Sequence, residues 1–129
     1  MNKLNPGDKI EDETENFYRR VYRKDKRYID HRTGRPTSRA FTPRPKDDGK
    51  LSVDLASLTT PLKSIANSSR FCLWLINNKT ILDLKLSAIY DPVKNNDVDN
   101  PSHCIIIGFN EEDESVPGIL SRTSTKVNI

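Results

Sequence analysis

In FCLWLINNKTILDLKLSAIY, residues 71–90, two hydrophobic patterns meet across one turn signal. FCLWLI, 71–76, is a continuous apolar run of strand length, the pattern of a strand covered on both faces, and it predicts a central strand. Beyond Asn77-Asn78, the apolar Leu82, Leu84, Leu86, Ala88 and Tyr90 alternate with Asp83, Lys85 and Ser87. This period of two predicts a strand with one buried face, and the pair of runs suggests a hairpin.

The neighbouring stretches fit a sheet around that hairpin. GKLSVDL, 49–55, alternates Leu51, Val53 and Leu55 with Ser52 and Asp54, and HCIIIGF, 103–109, is a second buried run. FYRRVYR, from Phe17, reads as a short strand because aromatic and β-branched residues suit a half-buried pleat. In TTPLKSIANSS, Thr60 can cap a short helix with Pro61 at its first position and Leu62, Ile65 and Ala66 on its inner face. SVPGILSRTSTKV either holds another short helix or frays. Long helices do not alternate with strands, which argues against a doubly wound fold. The expectation is an α+β fold: a small, mostly antiparallel, curled sheet of four to five strands with one or two short helices. It occupies a single domain over 17–122, between a flexible acidic tail at 1–16 and a second tail at 123–129.

Hydrophobic residues make up 34% and charged residues 30% of the 129 positions, so the core is modest and the surface wet. No run approaches the ~20 apolar residues that span a bilayer, and the start is too polar for a signal peptide, so a cytoplasmic protein without membrane contact is expected. Cys72 and Cys104 each lie in an apolar run with no metal-ligand spacing, which predicts buried, reduced thiols. No cofactor or metal is expected.

The net charge of +3 conceals a segregation along the chain. Residues 19–46 carry eleven Lys or Arg against Asp25 and Asp30, whereas 91–115 carry seven acids against Lys94. Such asymmetry points to an anionic partner. Nucleotide-binding glycine loops, zinc-binding HExxH and the GxSxG nucleophile motif are all absent. What remains is arginine interleaved with Phe17, Tyr18, Tyr22, Tyr28 and Phe41, a combination that suits phosphate and unpaired bases. The candidate anion-binding residues are Arg19, Arg20, Arg35, Ser38, Arg39 and Ser52. His103, just before the strand CIII, is a candidate acid or base, and His31 is expected to serve only its turn.

The series Phe17-Tyr18-Arg19-Arg20-Val21, Arg35-Pro36-Thr37-Ser38-Arg39-Ala40-Phe41, Leu51-Ser52-Val53 and Pro101-Ser102-His103-Cys104, with Gly108 downstream, resembles a group of small, uncharacterised bacterial single-domain proteins. The resemblance spans about residues 17–108 and implies that these stretches belong to one architecture, with Arg20, Ser38, Ser52 and His103 gathered at one pocket or edge. It implies no catalytic roles. The leading functional expectation is a binding or accessory domain that meets nucleic acid or an acidic protein surface through 17–46. The alternatives are a toxin-like enzyme acting on RNA or a nucleotide, and a subunit of a bacterial assembly or defence system that binds protein along the edge of ILDLKLSAIY.

Overall fold

The computed structural model describes residues 3–94 and 99–129. In chain order the elements are β1 (Asn16–Tyr22), β2 (Leu51–Leu55), α1 (Pro61–Ile65), β3 (Phe71–Asn77), α2 (Asn78–Asp83), β4 (Ser87–Tyr90), β5 (Val93–Lys94), β6 (Asp99–Asn100), β7 (His103–Ile107), α3 (Ser115–Thr123) and β8 (Thr125–Lys126). Six strands form an antiparallel sheet in the order β4-β7-β2-β1-β3-β8, and β5 pairs with β6 in a separate ribbon. The class is α+β, as the patterns imply. Within the acidic stretch 91–115, residues 95–98 lie outside the described residues.

Residues 71–90 depart from the expected hairpin. β3 forms, but it pairs with β1 along its whole length and with β8 only at Trp74 and Leu75, so it lies next to an edge rather than at the centre. The Asn-Asn pair starts a helix instead of a turn. The Asn77 side chain accepts from the Lys79 amide at 2.8 Å, and buried Asn78 donates to the carbonyls of Ile10 and Asp12 at 3.0 Å each. Asn78, Ile81 and Leu84 thereby take the helical spacing of three that the period-two pattern concealed. Lys85, at φ +64°, ends this turn, and only Ser87–Tyr90 run extended, against β7.

Other local signals translate directly. The Thr60 side chain accepts from the Lys63 amide at 3.2 Å, and Pro61 opens α1. Ile65 points inward, but Leu62 is 70% exposed, so it is not on the inner face. Both segments read as tails cover sheet edges. The Gly7 amide donates to Tyr90, the Tyr90 amide to Asp8 and the Ile10 amide to Ala88, each at 2.8 Å, and Ile10 is buried in the core. At the other edge β8 pairs with β3, and the Val127 amide donates to Leu73 at 3.0 Å. These contacts occupy backbone groups that would otherwise template a foreign strand, including the β4 edge considered above for strand addition.

Strand alternation divides the sheet into two faces. One carries Phe17, Val21, Val53, Leu55, Trp74, Ile76, Cys104 and Ile106, which pack with Phe41, Ile81 and Leu120 in the core. The other carries Tyr18, Arg20 and Tyr22 of β1, Ser52 and Asp54 of β2, and His103 of β7. Both cysteines are free thiols; Cys72 is half-buried, and burial pushes the Cys104 thiol up to about 12. Among the described residues no helix is long and apolar enough to cross a membrane.

Candidate anion-binding site

β1 and β2 pair only at Phe17–Leu55 and Tyr18–Asp54. Each strand continues against its other neighbour, β1 on β3 up to Tyr22 and β2 on β7 back to Leu51, so the ladder between them opens just past Tyr18. Arg19 bridges the gap. Its Nη1 donates to the Ser52 carbonyl at 2.9 Å and its Nε to the Ala40 carbonyl at 3.0 Å. Burial, with Arg44 and Arg20 nearby, lowers the Arg19 guanidinium to about 10, which leaves it charged at neutral pH.

A cavity of about 270 Å³ lies at this opening. Alternation along the strands places Tyr18, Arg20, Tyr22, Ser52, Asp54 and His103 on its lining, and the segment around the 3-10 turn Ser38–Phe41 adds Arg39, Ala40, Thr42 and Arg44. The four arginines differ in what already holds them. Arg19 is bonded to carbonyls, and Arg44 is paired with Asp47 at 2.9 Å. Among the described residues, neither Arg20 nor Arg39 has a side-chain hydrogen bond or ion pair; Arg20 lies 5.7 Å from the centre of the Phe71 ring. These two are free to meet an anion.

An aromatic group borders the same lining. Tyr22, 39% exposed, packs on Phe71 with ring centres 4.9 Å apart and on Tyr28 at 5.9 Å. Arg70 lies over Phe71 and Tyr22 at 5.2 and 5.7 Å. Rings whose faces attract guanidinium groups also offer stacking surface to planar ligands.

Asp54 and His103 are the titratable pair of the site. Asp54 is only 5% exposed; its Oδ2 accepts from the Ser64 hydroxyl at 2.6 Å and its Oδ1 from the Asn100 amide at 2.8 Å. Across the β2–β7 ladder it faces His103. Because the Leu55 amide bonds the Ser102 carbonyl at 2.8 Å, the next pair along, Asp54 and His103, is of the non-hydrogen-bonded kind, whose side chains approach most closely. The His103 Nδ1 lies 2.7 Å from the Asp91 carbonyl and 3.3 Å from Asp91 Oδ2. A carbonyl only accepts, so Nδ1 carries the hydrogen, and in the neutral ring the lone pair is then on Nε2.

Of the residues singled out from sequence, Arg19, Arg20, Arg39, Ser52 and His103 line this one cavity, and Arg35 and Ser38 do not. The Arg35 Nη2 donates to the carbonyls of Ser121 at 3.0 Å, Arg122 at 3.3 Å and Ser124 at 2.9 Å, and its guanidinium lies 5.1 Å from the Trp74 ring. It closes the last turn of α3, where carbonyls lack helical partners. Ser38 begins the 3-10 turn, and its carbonyl accepts from the Thr42 hydroxyl at 2.9 Å. His31 lies exposed in a turn. Sequence reasoning missed Asp54, Asn100 and Arg44. Asp54 occupies a polar position of an alternating strand, which reads as solvent-facing until α1 and β6 cover it. The chain matches no family model, no curated protein and no solved structure.

Proposed function

We propose that the protein binds single-stranded nucleic acid, with a backbone phosphate in the cavity at the β1–β2 opening and an adjacent base against Tyr22 and Phe71. The observation that carries this reading is the presence of two guanidinium groups, Arg20 and Arg39, without a side-chain hydrogen bond or ion pair among the described residues, beside the exposed Tyr22 and the half-buried Phe71 on one lining. Guanidinium forks match phosphate oxygens in pairs, and ring faces accept any unstacked base. An acidic protein surface would satisfy the arginines but give the rings no planar partner.

Fluorescence anisotropy with labelled single-stranded and duplex oligonucleotides of one sequence tests this. The single strand binds more tightly than the duplex, and its log affinity falls with log salt at a slope of about −0.7 per phosphate engaged. Reversing both charges, Arg20→Glu with Arg39→Glu, weakens binding about 100-fold, or ~2.7 kcal/mol. Binding that survives both high salt and the double reversal, or a preference for an acidic peptide over the oligonucleotide, overturns the reading.

A further inference from the structure

We infer that the same cavity cleaves RNA, with His103 as general base toward the ribose 2′-hydroxyl; the inference rests on the nucleic-acid reading above and adds a reaction to it. Holding a phosphate does not require a histidine fixed as this one is. The ring is tied through Nδ1 to the carbonyl and carboxylate of Asp91, and its side chain is only 14% exposed. With Nδ1 occupied, Nε2 is the nitrogen left for the cavity that His103 lines. A base needs an accessible lone pair on a ring that cannot turn away, and this arrangement supplies both.

The surroundings suit the charge that such a step creates. Asp54 faces the ring from the adjacent strand, and its oxygens are held by Ser64 and Asn100, so it stabilises an imidazolium without swinging across to bond it. Arg20 and Arg39, on the same lining, bring positive charge for the oxygens of a five-coordinate phosphorus. A 2′-hydroxyl is the nucleophile that this equipment can use, because ribose carries it next to its own phosphorus and it needs only to lose a proton.

In the step, the 2′-oxygen forms a bond to phosphorus as His103 Nε2 takes its proton. The bond from phosphorus to the 5′-oxygen then breaks, and the departing oxygen receives a proton from the imidazolium through water. The products are a 2′,3′-cyclic phosphate and a 5′-hydroxyl, the ring returns to its starting state, and nothing is oxidised or reduced.

The test uses a DNA oligonucleotide carrying one ribonucleotide, beside its all-DNA counterpart, with the full-length protein and mass spectrometry of the products. The wild type binds both and cuts only the first, after the ribose, leaving a cyclic phosphate. His103→Ala, purified identically and measured at saturating substrate so that affinity drops out, is slower by about 10²–10⁴-fold, while its circular dichroism shows that it folds. Asp54→Asn, with its rate normalised to the folded fraction measured by circular dichroism, lowers the rate at saturation without raising the half-saturating concentration. If both oligonucleotides bind and stay intact, or if His103→Ala cuts at the wild-type rate, the inference fails while the binding reading stands. If neither oligonucleotide binds, both fail.

Discussion

At the end of α3, Arg35 gives its guanidinium to three carbonyls and the face of Trp74, whereas at the β1–β2 opening Arg20 and Arg39 have no side-chain hydrogen bond or ion pair among the described residues, and Arg20 has only the Phe71 ring beside it. All three arginines belong to the same basic region and look alike in a charge count. The difference lies in what the fold supplies around them. Where a helix ends against a sheet, orphaned carbonyls recruit a cation; where two strands part, Arg19 takes the carbonyls of Ser52 and Ala40, Arg44 takes Asp47, and Arg20 and Arg39 are left without an acceptor among the described residues. A basic segment therefore has to be divided into arginines that hold the chain together and arginines that remain for a ligand.

The division is most exposed to failure at Arg35. Hydrogen bonds from a charged donor contribute about 1.5–3 kcal/mol each, with some lost to solvent screening here, so Arg35→Ala lowers the unfolding free energy by about 2–4 kcal/mol in a urea titration. Oligonucleotide affinity of the folded fraction stays at the wild-type value. Arg35→Lys recovers little, because an ammonium does not reproduce the stacking of a planar guanidinium on Trp74. A stable Arg35→Ala protein that has lost binding would reverse the assignment.

Arg19 belongs to both groups, which makes it the sharpest probe of the boundary. Arg19→Met keeps the apolar stem but leaves the carbonyls of Ala40 and Ser52 without their donor, so stability falls by about 1–3 kcal/mol. The cavity also loses a positive charge, and affinity falls several-fold. Loss of stability with unchanged affinity would place Arg19 wholly with Arg35.

Sequence made some of this visible and concealed the rest for identifiable reasons. The alternation in LSVDL, the apolar run after His103 and the Thr60-Pro61 start of α1 depend on neighbours one to four residues away, and all three appear where they were read. Residues 77–86 satisfied two periods at once, and the choice of helix was made by Asn78 reaching carbonyls 66 and 68 residues away. Arg35 meets its carbonyls 86 to 89 residues along the chain, so nothing near it marks it as structural. The opening between β1 and β2 is the point where their pairing ends, which neither strand's own pattern encodes. Arg19, Arg20, Arg39, Ser52 and His103 were nameable as residue types, but their shared cavity was not.

The smallest stability effects belong to the arginines without hydrogen-bonded or ionic partners among the described residues, and they complete the contrast. Arg20→Ala and Arg39→Ala remove no hydrogen bond among the described residues. Arg20 loses a ring contact with Phe71, worth about 0.5–1 kcal/mol at an exposed site but shared with Arg70 over the same ring. Each variant therefore stays within about 0.5 kcal/mol of the wild type in denaturant, the range of ordinary surface substitutions. Each lowers affinity for a single strand by about tenfold, or ~1.4 kcal/mol, and reduces the steepness of the salt dependence by about one phosphate contact. The salt slope decides the matter: a variant that binds more weakly with an unchanged slope has lost shape or stacking, and only a shallower slope shows that the missing guanidinium met a phosphate.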